Sequence, residues 1–482
     1  MPTLSTVDHS RLLDAVIRSL RHLFKIGSGR GYHGLFPSLV DLDKPAMLYG
    51  IPPCVGGQRS TERSPFGVNL IHDQTTLRLA YELGQLCDQP DLIRGADAYL
   101  SYFARYCTNT PTGLFPWGEH AFWDLVHRRP GASHWHVPWL QDRFVVYDHQ
   151  CQVPGWLWDK LWQFNPECVI RHAEGLDWHW QVLPGPDGKR TFCRHAFVVE
   201  RQVYGPNGGD DTNIGYDFPR HAGFFLVDLA HVYRHTRRDD MRARFVEWAE
   251  YHWQRRDRNG LLWMLGHLDP CCTLSLGVSL LDATELIKEA DPALAALWRE
   301  RAERYLDAFL TGSHDPAAGR VTCDFSDDPT KMEASRLPVL VPRWTGNAFG
   351  PAATIGLLCF AAWRHTGRAD LRRFALDLAQ HYAGLDLPEA NSLPARDVAQ
   401  ALLLFADAFE LTGEERWRQV ADRWLVQVEK RFFDRPLVRA WTGLDYYESH
   451  QSPGLLLIAV ARLVSLLGPG FSRPVSPDYT RR

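Results

Sequence analysis

The feature that most constrains this chain is a pair of helices written over and over. His72 to Cys87 carries apolar residues at helical spacing, and Pro90 to Tyr106 repeats the pattern after a very short turn. The pairing recurs at 218–235 with 239–252, 273–288 with 292–309, 351–365 with 369–382, and 395–411 with 414–428. The turns resemble one another: Leu86-Cys87-Asp88-Gln89-Pro90, His235-Thr236-Arg237-Arg238-Asp239, His365-Thr366-Gly367-Arg368-Ala369 and Leu411-Thr412-Gly413-Glu414-Glu415. Glycine at such a turn suits a helix C-cap, and the residues after it start the next helix. Stretches 154–164 and 166–180 read as a further hairpin. The segment 454–467 can pair with an amphipathic N-terminal helix starting near Asp8.

One helix pair cannot bury its apolar stripe alone. Repeated pairs either stack into an open solenoid or close into an α/α toroid. Long irregular insertions at 27–71, 108–153, 183–217, 312–350 and 433–453 favour the toroid, because they can gather on one face and build a site. The expected fold is therefore all-α, a toroid of about six to seven hairpins. The expected organisation is one catalytic domain over 1–482, with an N-terminal helix and loop (1–71), the hairpins (72–467) and a C-terminal tail (468–482).

Charge and composition narrow the function. The formal net charge is −4, from 53 basic and 57 acidic residues, and no basic stripe stands out, which argues against nucleic acid. No uninterrupted apolar run of about 18 residues predicts a membrane span. The N-terminus lacks the basic start, apolar stretch and small-residue cleavage site of a signal peptide, so a cytoplasmic location is expected. The ten cysteines form no CxxC pair, and reduced thiols are expected. Nine of the 18 tryptophans fall between Trp117 and Trp180. Aromatic faces stack on the apolar faces of sugar rings, and a cluster of them interleaved with polar groups suits a carbohydrate cleft.

The candidate chemistry concentrates in that region. Thr112 to Asp124 has turn residues at its front and then aromatic rings, Glu119, His120 and Asp124. Tyr147-Asp148-His149-Gln150 precedes a hairpin, and Phe192-Cys193-Arg194-His195 follows a predicted turn at Pro184 to Gly188. Asp210-Asp211-Thr212-Asn213 and Tyr216 to His221 come next, then Pro342-Arg343-Trp344-Thr345-Gly346-Asn347, with Tyr446 to His450 as a weaker partner.

Trp117-Gly118-Glu119-His120, then His149-Gln150, then Arg194-His195 resemble the ordered motif set of family 2 of the polysaccharide lyases, pectate lyases with an (α/α)7 toroid. The aromatic helix that runs into Asn165-Pro166 strengthens the likeness, which covers roughly residues 110 to 200. The resemblance implies a divalent metal, manganese or calcium, held by His120, His195 and the position of Gln150. It also implies Arg194 as the base that removes a proton from a uronate ring. The family has a glutamate where this chain has Gln150. An amide offers a hard cation an oxygen without a charge, so Glu119, Asp148 or His149 would have to take over. Arg220 and Arg343 are candidates for a second active-site arginine. Trp117, Trp123, Trp344 and His221 are candidates for substrate binding. Because arginine is an awkward base, Tyr147 or Tyr216 is a physically easier one.

Two other enzyme classes use the same architecture. A glycoside hydrolase would use paired carboxylates, drawn from Glu119, Asp124, Asp210, Asp211 and Asp217. A sugar 2-epimerase would use histidines as acid and base, from His120, His149 and His221. The expected partner in the lyase reading is a uronate-containing oligosaccharide or polysaccharide.

Overall fold

The computed structural model describes residues 7–44, 46–136, 146–182, 190–199, 218–264, 267–323, 339–340, 344, 351–389 and 392–480. Fourteen α-helices run through these residues: α1 His9–Gly27, α2 Leu70–Leu86, α3 Pro90–Tyr102, α4 Gly155–Phe164, α5 Pro166–Gly175, α6 Pro219–Thr236 and α7 Asp239–Trp253. The series continues with α8 Pro270–Ile287, α9 Pro292–Leu310, α10 Ala352–Thr366, α11 Ala369–Ala383, α12 Ala395–Thr412, α13 Glu415–Phe432 and α14 Pro453–Leu467.

The even-numbered helices form an inner ring. Helix α6 packs on α4 and α8, α10 on α8 and α12, and α14 on α12 and α2. Tyr81 of α2 meets Trp156 of α4 ring to ring at 6.3 Å, which completes the circle. The odd-numbered helices lie outside, with α1 packed on α14 as the seventh partner. Sequence explains the sorting. Outer α13 buries Trp417, Ala421, Trp424, Leu425, Val428 and Phe432, one stripe at helical spacing. Inner α10 buries every residue from Ala352 to Ala362. A helix apolar on all sides belongs in an interior. Helix α8 is long and apolar enough to cross a membrane, and its inner-ring position accounts for that composition, since 83 % of it is buried within the protein.

The look-alike turns share one device. Gly367 and Gly413 adopt φ of +72° and +66° and donate back to the carbonyls of Trp363 and Phe409. Arg237 occupies the same left-handed position at φ +56° and bonds Tyr233. In each turn the last helical threonine (Thr236, Thr366, Thr412) donates to the carbonyl four residues back and accepts from the N–H two residues on. These turns all lie at one end of the ring. The long insertions all precede inner helices in the chain, so their described parts collect at the other end, together with the inner helices' N-termini and their partial positive charge. Short strands tie the insertions together. Leu39–Asp41 pairs with Tyr446–Glu448, and Ala121–Asp124 sits between Gly67–Val68 and Arg129–Ala132. A buried ion pair, Arg63 Nε to Glu448 Oε1 at 2.7 Å, locks the first insertion to the last.

Candidate active site

At the insertion end, three chain segments meet around a group of histidines. Asn69, the residue before α2, pins the first segment: its side chain accepts from the Gly118 N–H at 3.2 Å and donates to the carbonyls of Gly118 and Ala121 at 2.7 and 3.1 Å. Gly118 sits at φ +93°, and a Cβ there would meet the His149 carbonyl oxygen at 2.4 Å. Only glycine lets the 117–120 turn lie against the second segment, where the Glu119 N–H donates to the His149 carbonyl at 3.0 Å. The third segment joins through an antiparallel pair, Tyr147 with Phe197 and Asp148 with Ala196. Continuing that register brings His149 opposite His195, and their rings lie 4.7 Å apart.

The result is a buried triad of imidazoles. One ligand nitrogen each from His120, His149 and His195 fall within 4.8 Å of one another. His120 Nδ1 is 2.9 Å from the Thr61 carbonyl, which can only accept, so the proton sits on Nδ1 and a lone pair on Nε2. Glu119 Oε2 lies 2.8 Å from His149 Nδ1 and fixes the same tautomer there. His149 Nε2 and both ring nitrogens of His195 have no hydrogen-bond partner among the described residues. Polar atoms so deeply buried normally find a partner, and imidazole nitrogens left open in this way suit a metal ion. A carboxylate on the far nitrogen of a ligating histidine is a recurring support for such sites.

Electrostatics keep the rings neutral. Burial is the leading cause that lowers the His120, His149 and His195 pKa values; Glu119 opposes it at His149 and His120, and the Arg194 guanidinium adds to it at His149 and His195. His221, in the first turn of α6, has its ring 4.7 Å from His149 and is lowered well below its usual range by the same causes. Burial opposes the ionised form of Glu119, yet His149, His120 and Arg220 outweigh it and hold the carboxyl well below the usual range. Burial also works against the charge on Arg220, and the Glu119 and Asp269 carboxylates offset it, so its guanidinium stays protonated. Arg194 stacks over the Phe218 ring at 3.9 Å and adds positive potential at His149, His195 and His221. The Tyr147 hydroxyl is 2.8 Å from His134 Nε2, and its ring packs 4.9 Å from His195.

Of the residues proposed from the sequence, Glu119, His120, Tyr147, Arg194, His195, Arg220 and His221 are brought together here. Gln150 is not. Its amide donates to Asp228 Oδ2 at 2.5 Å and accepts from His172 at 3.1 Å, in a network that also takes the Trp158 indole N–H. The cause is strand alternation: Tyr147 and His149 point to the triad, Asp148 and Gln150 to the opposite side. His149 takes the place expected of Gln150, with Glu119 behind it. Asp148 turns away to the Ala196 N–H and His179.

Trp117 is not a sugar platform. It is fully buried, packed against Phe115, Trp158 and His172. Trp123 is half-buried in its strand, and Trp344 rests against Tyr382 and Trp424 of two outer helices. Asp124 caps its own turn by accepting from Val126 and His127. Glu448 and His450 hold loops, bonding Arg63 and Ser64. Arg343, Asp210, Asp211, Tyr216 and Asp217 lie outside the described residues. His134 and the Thr61 carbonyl carried no sequence signal. Each gains its place from the fold alone, although His134-Trp135-His136 does sit beside the tryptophan cluster.

No family model and no curated protein matches this chain. Among solved structures it is similar to a sugar epimerase from a ruminal bacterium, at 12 % identity and a TM-score of 0.46, over 94 % of this chain and 98 % of that one. It is also similar to cellobiose 2-epimerase from Bacillus thermoamylovorans (9 %, TM-score 0.45, 93 % and 99 %). A third likeness is to unsaturated glucuronyl hydrolase from Streptococcus agalactiae (11 %, TM-score 0.42, 94 % and 92 %).

Proposed function

We propose that the insertion end of the ring cleaves a uronate-containing, pectate-like oligosaccharide or polysaccharide by β-elimination, with a divalent metal held by His120, His149 and His195. The observation that carries this reading is the convergence of three neutral, buried imidazoles with two guanidinium-bearing residues around Glu119, the single contacting carboxylate among the described residues. Three imidazole nitrogens suit manganese better than calcium, which takes oxygen ligands. Bound there, the metal would act as a Lewis acid on the substrate carboxylate and stabilise charge developing beside it.

The protein's own groups supply the rest. Arg220, kept protonated, and Arg194 form a clamp for a sugar carboxylate, and their charge favours the enolate that forms when the neighbouring carbon loses its proton. Tyr147 is the better-placed base than Arg194. Its hydroxyl already bonds His134, which can draw off the phenolic proton, whereas a guanidinium gives up a proton only with great difficulty. Glu119 orients His149 and balances the local positive charge. A carboxylate-pair hydrolase is less well supported, because Glu119 is the one carboxylate in hydrogen-bond contact with the triad among the described residues.

A second reading rests on the neutral state of His149 and His221, whose rings lie 4.7 Å apart and could exchange protons with a sugar as an epimerase does. Incubation with oligogalacturonates and manganese separates the readings. Elimination gives a new ultraviolet absorbance from the unsaturated product, abolished by a chelator. Saturated cleavage products, or isomerisation that survives chelation, would reject the lyase reading.

A further inference from the structure

A second group of ligating side chains lies near the other end of the ring. His231 and His235 stand four residues apart on α6, so their rings project from one helix face. Asp159 reaches them from α4. Its Oδ1 is 3.0 Å from His231 Nε2 and 3.7 Å from His235 Nε2, and one ligand atom from each residue falls within 4.8 Å of the others. Ten residues of the same helix separate His231 from His221, a rise of about 15 Å. The two clusters are therefore distinct.

The rings are held in position. Trp162 of α4 stacks on His235 at 4.5 Å with the planes 19° apart, and the two histidine rings lie 4.7 Å from each other. Asp159 also lines an open groove of about 430 Å³, so a solvated ion can reach it. The point where the three groups converge already holds a cation: the Arg234 guanidinium bonds Asp159 Oδ1 and lies 2.8 Å from His235 Nε2. A guanidinium has only donors, so His235 Nε2 presents its lone pair there. Arg234 is about a third exposed and can swing into solvent.

We infer that Asp159, His231 and His235 form a second site for a divalent transition metal of the zinc class, occupied in competition with the Arg234 side chain. Two imidazoles at i and i+4 with one carboxylate are a nitrogen-rich set that favours zinc, nickel or copper over magnesium or calcium. The site clamps α4 to α6, two neighbouring inner helices, near the short-turn end. Metal binding replaces the guanidinium's contacts, and His231 keeps a single ring proton, moved from Nε2 to Nδ1.

The test counts metal in the full-length protein. Chelator-stripped protein is titrated with zinc chloride, freed of loose ion by gel filtration, and its zinc measured by atomic emission. The count is made in the wild-type and the His195→Ala backgrounds, so that the other cluster cannot mask the result. His235→Ala is expected to bind one zinc equivalent fewer than its parent in both backgrounds, with unchanged circular dichroism. Arg234→Gln, which removes the competing cation, is expected to bind that zinc up to about fivefold more tightly. The same zinc count in His235→Ala as in its parent, or no tightening in Arg234→Gln, overturns the proposal. Either failure leaves the reading of the insertion end untouched.

Discussion

Two histidine-bearing clusters lie on opposite sides of the same strand, and they spend their polar atoms differently. Beneath the strand, Gln150, His172, Asp228 and Trp158 bond one another in a closed set: the Asp228 carboxylate accepts from the Trp158 indole and the Gln150 amide, and Gln150 in turn accepts from His172. Above it, His149 Nε2 and both ring nitrogens of His195 have no partner among the described residues in an equally buried space, while His120 is bonded at both nitrogens, to the Thr61 carbonyl and to His149 Nδ1. A satisfied buried network rigidifies a fold, whereas an unsatisfied one is a cost that persists when function needs it. The contrast separates scaffold from site more sharply than residue type does, since each cluster contains histidine and at least one acid or amide.

The largest expected effect breaks the upper cluster. His195→Ala should lower turnover by at least about a hundredfold, the upper end of what losing even an outer-shell partner costs at a metal site. With metal stripped from both proteins, its melting temperature should stay close to that of the wild type, because His195 makes no hydrogen bond among the described residues. A variant that melts early with proportionate activity loss would mean the triad is scaffold after all.

The next effect breaks the lower cluster. Asp228→Ala strands the Trp158 indole N–H and the Gln150 amide without their acceptor, and urea unfolding should show a loss of about 3 kcal/mol. Activity per folded molecule should survive. A loss of metal affinity at unchanged stability would place the network in the site instead.

Gln150→Glu sharpens the comparison from the direction of the sequence resemblance. If position 150 held the metal, a carboxylate there would tighten binding. The geometry points the new charge at Asp228, whose own carboxyl is already pushed up by burial. The expected outcome is no gain in metal affinity and a stability loss of about 1–3 kcal/mol from two like charges in one buried site.

This substitution also marks where the sequence stopped being legible. Helix periodicity and the turn residues gave the hairpins, the closing partnership of α14 with α1 and the insertions that carry the site, because local rules of capping and burial decide them. The motif order brought forward His120, Arg194 and His195. What spacing could not say is which side of an extended segment faces the site, so His149 and Gln150 were indistinguishable until the pairing of 147–148 with 196–197 set the alternation. Nor could composition separate Trp117, a core residue, from an exposed platform. The partnership of Tyr147 with His134 depends on a loop path that no local pattern encodes.

The smallest effect concerns pH. His221 is held neutral by burial and by the Arg220 and Arg194 guanidiniums, so its folded pKa lies well below the roughly 6.5 of an unfolded histidine. Between those two values the unfolded chain binds a proton that the folded chain refuses. Stability from this residue is therefore fully present above about pH 6.5 and is lost as the pH falls below it, at up to about 1.4 kcal/mol per pH unit. His221→Asn removes that titration. Denaturant melts of the metal-stripped protein at pH 7 and pH 5.5 should then differ by about 1 kcal/mol less than they do for the wild type. An unchanged difference would mean that His221 is charged in the folded state. In that case the site would lack the neutral face that both its metal-binding and its proton-transfer readings require.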